Sequence, residues 1–135
     1  MATLTTSIPL SRVLAAAAKA GLIAFVVNTV IYYVAYSQGW WQFVPTPDGR
    51  TLDLQKVVTM SVLPALVAGL VFFALLRIAR QPVRVFYVIA ALVFVAMFFG
   101  PFSLSGIRTG MIMLLQLMHL VVTALVVRFL VRTVQ

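Results

Sequence analysis

The stretch GMIMLLQLMHLVVTALVVRFLV, residues Gly110 to Val131, is an almost unbroken run of apolar side chains. A helix of roughly 20 apolar residues crosses the hydrocarbon core of a bilayer, which is about 30 Å thick. Before Arg128 near its end, three polar side chains interrupt the run, at Gln116, His119 and Thr123. Because a helical turn takes about 3.6 residues, these three lie on one face of the helix. The stretch therefore predicts a transmembrane helix with a polar face.

The composition of the whole chain agrees with a membrane protein. Of its 135 residues, 64% are hydrophobic and 9% are charged, and the mean hydropathy is +1.15. In soluble domains about a quarter of the residues are charged. A chain of this length has room for four or five spans and for no separate soluble domain. We therefore expect a single membrane domain, residues 1–135, embedded in a lipid bilayer.

Four apolar segments with short connections predict an all-α bundle of four transmembrane helices in up-down-up-down order. The predicted spans cover about 13–37, 57–78, 83–99 and 110–131, and an outer loop covers 38–56. Within this loop Pro47-Asp48-Gly49 is a strong turn signal. The loop is predicted either as a short hairpin or as an irregular segment that ends with Asp53 capping span two.

The positions of the cations predict the orientation. Seven of them fall on the side of both termini: Arg12, Lys19, Arg77, Arg80, Arg84, Arg128 and Arg132. Three fall on the other side: Arg50, Lys56 and Arg108. Because cytoplasmic loops carry the excess of Lys and Arg, both termini are predicted to be cytoplasmic, in a bacterial inner membrane.

Small residues at fourfold spacing form one row in span one and another in span two. The rows are Ala16, Ala20, Ala24 and Asn28, followed by Ser61, Ala65 and Gly69. Rows of small side chains let two helices approach closely in a membrane, and a polar member adds a hydrogen bond across the contact. We expect these two rows to face each other.

The polar residues of spans one and four lie at one depth. Asn28 follows Lys19 by nine residues and His119 precedes Arg128 by nine, so each lies roughly 14 Å from its cation along a helix. If spans one and four are neighbours, Asn28, Gln116, His119 and Thr123 form one polar cluster near the bilayer midplane. This cluster is the candidate ligand-binding site, since intramembrane ionisable groups often mark function.

Three roles are open for His119, the single histidine of the chain. A neutral imidazole is a good axial ligand for the metal of haem or chlorophyll. It also serves as a proton-relay or substrate-binding group inside membranes. The third role is a hydrogen bond that only stabilises the bundle. No cofactor is predicted, and no metal site beyond this axial position.

The residues that are missing from the sequence argue against catalysis. The chain has no cysteine, and its two carboxylates, Asp48 and Asp53, both lie in the outer loop. No span contains a carboxylate for acid–base chemistry or for ion-coupled export, and no nucleophile–histidine–acid set can be drawn. We expect no enzyme and no catalytic residue. A nucleic-acid partner is not expected either, because the net charge of +8 arises at the ends of the apolar runs.

The order of these features resembles an uncharacterised family of small bacterial four-helix membrane proteins. The shared features are Asn28-x-x-x-Tyr32, a loop with proline, Thr59, Gly69, and Leu114 with the segment LMHLV at Leu117 to Val121. The resemblance implies the architecture and a bacterial inner membrane, and it implies no chemistry.

Two functions from different classes remain. The first is a non-enzymatic structural or accessory subunit, which packs its apolar surface, above all span three, against a larger membrane assembly or against copies of itself. The alternative is a module that binds a ligand, a tetrapyrrole or a quinone, or transports a small solute, with His119 at its centre.

Overall fold

The computed structural model describes residues 8–135 and contains four long α-helices in that part of the chain. They are α1 (Leu10–Ser37), α2 (Leu54–Ile78), α3 (Pro82–Phe99) and α4 (Thr109–Val131), with short 3₁₀ helices at Gly100–Ser103 and Arg132–Val134. Each of the four is long and apolar enough to cross a membrane. The predicted all-α, four-helix transmembrane fold is therefore confirmed. The side of the membrane on which each end lies stays a prediction.

The helices begin earlier than the apolar runs predicted. Helix α1 begins at Leu10, after Pro9, and α2 begins at Leu54. The carboxylate of Asp53 accepts a hydrogen bond of 3.1 Å from the backbone N–H of Lys56 and so caps α2. Hydropathy detects only the apolar part of a helix. The first turn of α2 contains Gln55 and Lys56 and is stabilised by the Asp53 cap.

Consecutive helices run antiparallel, as their contacts show. Asn28, in the second half of α1, bonds to Ser61 in the first half of α2. The rings of Phe72 near the end of α2 and Phe86 near the start of α3 are 4.8 Å apart.

Two buried clusters hold the bundle together: the first includes Val13, Ala17, Phe72, Phe86, Val126 and Leu130, and the second includes Tyr32, Ala35, Trp41, Val57, Met111 and Leu115. The first thus joins the start of α1 to the end of α4.

Helices α1 and α2 approach closely through small residues. A Cβ placed on Gly69 would lie 2.7 Å from the Cβ of Ala17, and one on Gly21 would lie 3.1 Å from the Cβ of Ala65. The α2 row therefore faces α1 as expected. Its partner is the predicted α1 row only in part: Asn28 bonds to Ser61, but Ala17 and Gly21 make the closest contacts, and Ala16 is half-buried.

Helix geometry explains this correction. Four residues turn a helix by about 400°, so a row at strict fourfold spacing drifts by about 40° at each step. A seam between two helices follows alternating steps of three and four residues instead. The buried positions Ala17, Gly21, Ala24 and Asn28 have this spacing. Ala20, also from the predicted row, is fully buried as well.

Helix α3 lies at the edge of the bundle. Phe86 is the one α3 residue that is buried. The other three helices each bury at least six residues along their lengths. Helix α3 thus packs against α2 near its start and leaves space beside α2 and α4 near its end.

The outer loop combines both predicted forms. Pro45 and Thr51 form an isolated antiparallel bridge, and no strand is present in the described part of the chain. Gly49, with φ of +76°, makes the turn between them. The indole N–H of Trp41 donates a 3.0 Å hydrogen bond to the carbonyl of Leu52 and joins the two ends of the loop. The side chain of Gln42 bonds to the backbone of Gly106 and Arg108 and so attaches the loop to the turn before α4. The loop therefore forms a fixed cover over the outer ends of the helices.

Candidate functional site

A cavity of about 330 Å³ lies under the outer loop, among α2, the end of α3 and α4. We name it the outer cavity. Apolar side chains make most of its wall, including Val57, Met60, Met97, Leu104, Leu115 and Met118. The polar side chains on its wall belong to Asn28, Lys56, Ser61, Ser103 and His119. Its size lies at the lower end of the range for small-molecule sites.

A second cavity of about 200 Å³ lies farther from the outer loop, among α2, α3 and α4, and we name it the inner cavity. Its wall includes Pro64, Phe86, Ile89, Val93, Thr123 and Val126. Four residues line both cavities: Met60, Met97, His119 and Val122. His119 therefore stands where the two spaces meet.

Asn28 reaches the outer cavity from α1 and is 2% exposed. Its Nδ2 donates to Oγ of Ser61 at 2.9 Å and to the backbone carbonyl of Met118 at 3.5 Å. Ser61 in turn donates its single hydroxyl proton to the carbonyl of Val57, at 2.8 Å. The Ser61 oxygen must then act as an acceptor, which fixes the amide nitrogen of Asn28 toward it.

This orientation leaves the other end of the Asn28 amide unused. Oδ1 is buried and has no hydrogen-bond partner among the residues that the structure describes. A buried acceptor without a partner costs about 1–3 kcal/mol. Buried polar groups are therefore nearly always paired in folded proteins, and an unpaired one requires an explanation.

His119 offers a second acceptor to the same space. Its Nδ1 lies 2.7 Å from the backbone carbonyl of Leu115. Because a carbonyl oxygen only accepts, Nδ1 carries the proton, and in the neutral imidazole Nε2 is then the acceptor. The one side-chain hydrogen bond of His119 within residues 8–135 is made by Nδ1, so Nε2 makes none. An imidazole in this state can accept a hydrogen bond or bind a metal, since metal-binding histidines also donate their other N–H to a carbonyl.

The predicted cluster of four polar residues is wrong in one member. Asn28 and His119 line the outer cavity together, and Thr123 lies beside His119 on the inner cavity. Gln116 instead turns to α3, where its Nε2 donates to the carbonyl of Phe98. Three residues turn a helix by about 300°, so Gln116 and His119 point about 60° apart, which is enough to place them in different interfaces.

The bond from Gln116 has a structural explanation. Helix α3 ends at Phe99, and the last four carbonyls of a helix have no N–H partner within it. Gln116 supplies a donor to the carbonyl of Phe98, which is one of these four. Gln116 is thus a side chain that fixes the end of α3 against α4 rather than a member of the cavity wall.

Sequence reasoning missed two parts of the site. Ser61 was predicted only as a small packing residue, whereas its hydroxyl orients Asn28. An ion pair between Lys56 and Asp48 was not predicted, and it lies by the outer cavity, whose wall includes Lys56. The hydrogen bond from Lys56, and a second one from Thr46, hold the pKa of the Asp48 carboxyl well below its usual range. No sequence motif connects these residues, because the turn of the loop brings them together.

Comparison with known proteins gives a family and no further relative. Neither the curated proteins nor the solved structures provide a match to the chain. A family model matches residues 9–135, which includes all four helices and both cavities. The match confirms the expected membership of an uncharacterised family. The chain belongs to the family of unknown function DUF6069.

Proposed function

We propose that the protein binds a small, mainly apolar molecule in the outer cavity. The observation that carries this proposal is the buried Oδ1 of Asn28, which has no partner in residues 8–135 although Asn28 lines the cavity. A bound molecule that donates to this oxygen would remove the cost of leaving it unpaired. The wall of the outer cavity also supports the proposal, because binding sites for small molecules combine an apolar surface with a few fixed polar groups.

The loose attachment of α3 supports a binding role. Met97 of α3 and the turn at Gly100 and Pro101 form one side of the outer cavity. Since Phe86 is the sole buried residue of α3, this helix has few apolar contacts to resist a small displacement. A small displacement of α3 that opens the bond from Gln116 to Phe98 would then admit a molecule from the lipid.

Filling the cavity tests the proposal. Val122 lines both cavities, so Val122→Phe places an aromatic ring in the binding space. Leu120, on the same helix, is 51% exposed, and Leu120→Phe adds the same ring on the lipid side. We expect an organic extract of the purified protein to contain a small molecule in stoichiometric amount, retained by Leu120→Phe and lost from Val122→Phe. Identical extracts from both variants would contradict the proposal.

A second candidate is a structural or accessory subunit of a larger membrane assembly, or a homo-oligomer. The observation that favours it is the exposed apolar surface of α3, which includes Val88, Leu92 and Val95. Purification in mild detergent with a mass measurement tests it, because a monomer without a companion protein would contradict it. Both candidates are non-enzymatic.

We also propose a bacterial cytoplasmic membrane as the location, with both termini inside the cell. The proposal is supported by the seven cations predicted on the terminal side against three on the loop side. The contact between the start of α1 and the end of α4, through Val13 and Leu130, is consistent with both termini lying on one side.

A further inference from the structure

We propose that the molecule bound in the outer cavity is a neutral apolar alcohol or phenol, whose hydroxyl group donates to Asn28 Oδ1 or His119 Nε2. This inference rests on the proposed binding function and adds the chemical class of the ligand. It follows from counting the hydrogen-bond donors and acceptors that the cavity leaves unused.

The donors of Asn28, Ser61 and His119 are already engaged. Nδ2 of Asn28 donates to Ser61 and to the carbonyl of Met118. The hydroxyl of Ser61 donates to the carbonyl of Val57, and Nδ1 of His119 donates to the carbonyl of Leu115. What these two side chains still offer is two acceptors, Oδ1 of Asn28 and Nε2 of the neutral imidazole. A ligand head group that only accepts, such as a ketone, a quinone or an ether, would leave both acceptors unpaired.

The charges around the cavity favour a neutral donor. The wall of the outer cavity contains no carboxylate, so a bound ammonium group would lie in an apolar site without a counter-ion, which is costly. Its one charged side chain, Lys56, is paired with Asp48 of the outer loop. An anionic head group beside Asn28 and His119 would face two acceptors and no free donor of these two side chains. A hydroxyl group satisfies one of the two acceptors without burying a charge.

The shape of the space agrees with an apolar body behind the hydroxyl. His119 lines both cavities, so a head group held there can direct the rest of the molecule into either one. The inner cavity, about 200 Å³, has an almost wholly apolar wall in which Thr123 is the one polar neighbour besides His119. The expected ligand is thus a hydroxyl group on a ring or chain of hydrocarbon.

A matched pair of probes tests this class. The probes are 1-naphthol and 1-methoxynaphthalene, which share a ring system and differ in the hydroxyl proton. Binding to the full chain in detergent micelles is measured by naphthalene fluorescence. The apparent affinity of each probe for Val122→Phe measures its partition into the micelle, and each affinity is divided by this value. We expect wild-type protein to bind 1-naphthol about tenfold more tightly than its methyl ether, as one additional hydrogen bond would give.

Two variants assign the preference to His119. His119→Phe removes the acceptor and keeps an aromatic ring, and Leu120→Phe is the control on the lipid side. We expect the preference for 1-naphthol to fall severalfold in His119→Phe and to persist in Leu120→Phe, with circular dichroism confirming helical content in both. A preference that is unchanged in His119→Phe would overturn the assignment to His119.

The remaining outcomes separate this inference from the proposed function. Equal affinity for the two probes, lost for both in Val122→Phe, would overturn the hydroxyl class and leave the binding function standing. Failure of both probes to bind would also overturn the class, and the extracts of Val122→Phe and Leu120→Phe would then decide on the function. Visible absorption that is present in the purified protein and lost in His119→Phe would show a tetrapyrrole metal on Nε2, which would overturn the inference as well.

Discussion

Nδ2 of Asn28 on α1 donates a 2.9 Å hydrogen bond to Oγ of Ser61 on α2, and both side chains are at least 98% buried, with exposures of 2% and 1%. Since the hydroxyl proton of Ser61 is committed to the carbonyl of Val57, the bond can run in only one direction. It therefore holds the amide of Asn28, which lines the outer cavity, in a single orientation and leaves its oxygen without a partner among the described residues.

Replacing Ser61 tests this orientation. Ser61→Ala removes the acceptor for Nδ2, so we expect weaker binding of 1-naphthol and a loss of about 0.6–1.7 kcal/mol in unfolding free energy, as for other polar contacts in membranes. Thr59→Val is the control, because the hydroxyl of Thr59 makes the same type of bond to the carbonyl of Gln55 on an exposed face. Reversible unfolding in mixed micelles measures both. Equal losses in the two variants would contradict a special role for Ser61.

Gly69 tests the close approach of α1 and α2. A Cβ at this position would lie 2.7 Å from that of Ala17, so Gly69→Ala forces the helices apart and should cost about 1–3 kcal/mol. Gly110→Ala is the control, because nothing lies within 4 Å of a Cβ there, and we expect no loss. The double variant Ala17→Gly with Gly69→Ala should recover most of the stability, and a further loss instead would show that the contact is elsewhere.

The sequence predicted the helices because hydrocarbon is a uniform solvent that selects long apolar segments. It also predicted that Ser61, Ala65 and Gly69 would face α1. The identity of their partners depends on the crossing of the two helices. The seam on α1 takes a step of three residues from Gly21 to Ala24, which strict fourfold spacing does not contain.

The candidate site was predictable only in part. Asn28 and His119 are found together because depth and helical face follow from spacing along each helix. The position of Gln116 was predicted incorrectly, because its neighbour is the end of α3, and sequence does not say which helix covers which face. The pair of Asp48 and Lys56 depends on the path of the outer loop, for which the sequence left two forms open.

Gln116 should affect α3 and leave ligand selection unchanged. Gln116→Leu removes the donor to the carbonyl of Phe98, so we expect faster hydrogen exchange in residues 96–103, since that end of α3 then loses its polar attachment to α4. The same variant should keep the preference for 1-naphthol. Thr123→Val, which alters a polar residue of α4 away from Phe98, is the control and should leave exchange in 96–103 as in the wild type. Loss of the probe preference in Gln116→Leu would instead place Gln116 in the binding site.

Asp48 should titrate below the usual range of a carboxyl group. The hydrogen bond from Lys56 lowers its pKa first, and the one from Thr46 adds to the effect. A carboxyl whose pKa is lower in the folded protein contributes stability above its ordinary pKa, and that contribution is lost as the pH falls through the folded pKa. Because Asp48 is exposed, the effect on stability is small.

Carbon-13 NMR of the aspartate side chains measures this titration directly. We expect Lys56→Met to move the Asp48 midpoint upward toward the ordinary range, and Lys19→Met, which changes an exposed lysine of α1, to leave it where it is. An Asp48 midpoint that is the same in wild type and Lys56→Met would show that the ion pair does not persist in solution.

Single cysteines test how the chain crosses the membrane, since the natural sequence has none to remove. Arg50 in the outer loop and Gln81 between α2 and α3 are both exposed. If the excess of cations marks the cytoplasmic side, a membrane-impermeant maleimide added to intact cells should label Arg50→Cys and not Gln81→Cys. Disrupting the cells should make Gln81→Cys reactive to the same degree, which controls for accessibility. Labelling of Gln81→Cys in intact cells would reverse the orientation and place the cover of the outer cavity inside the cell.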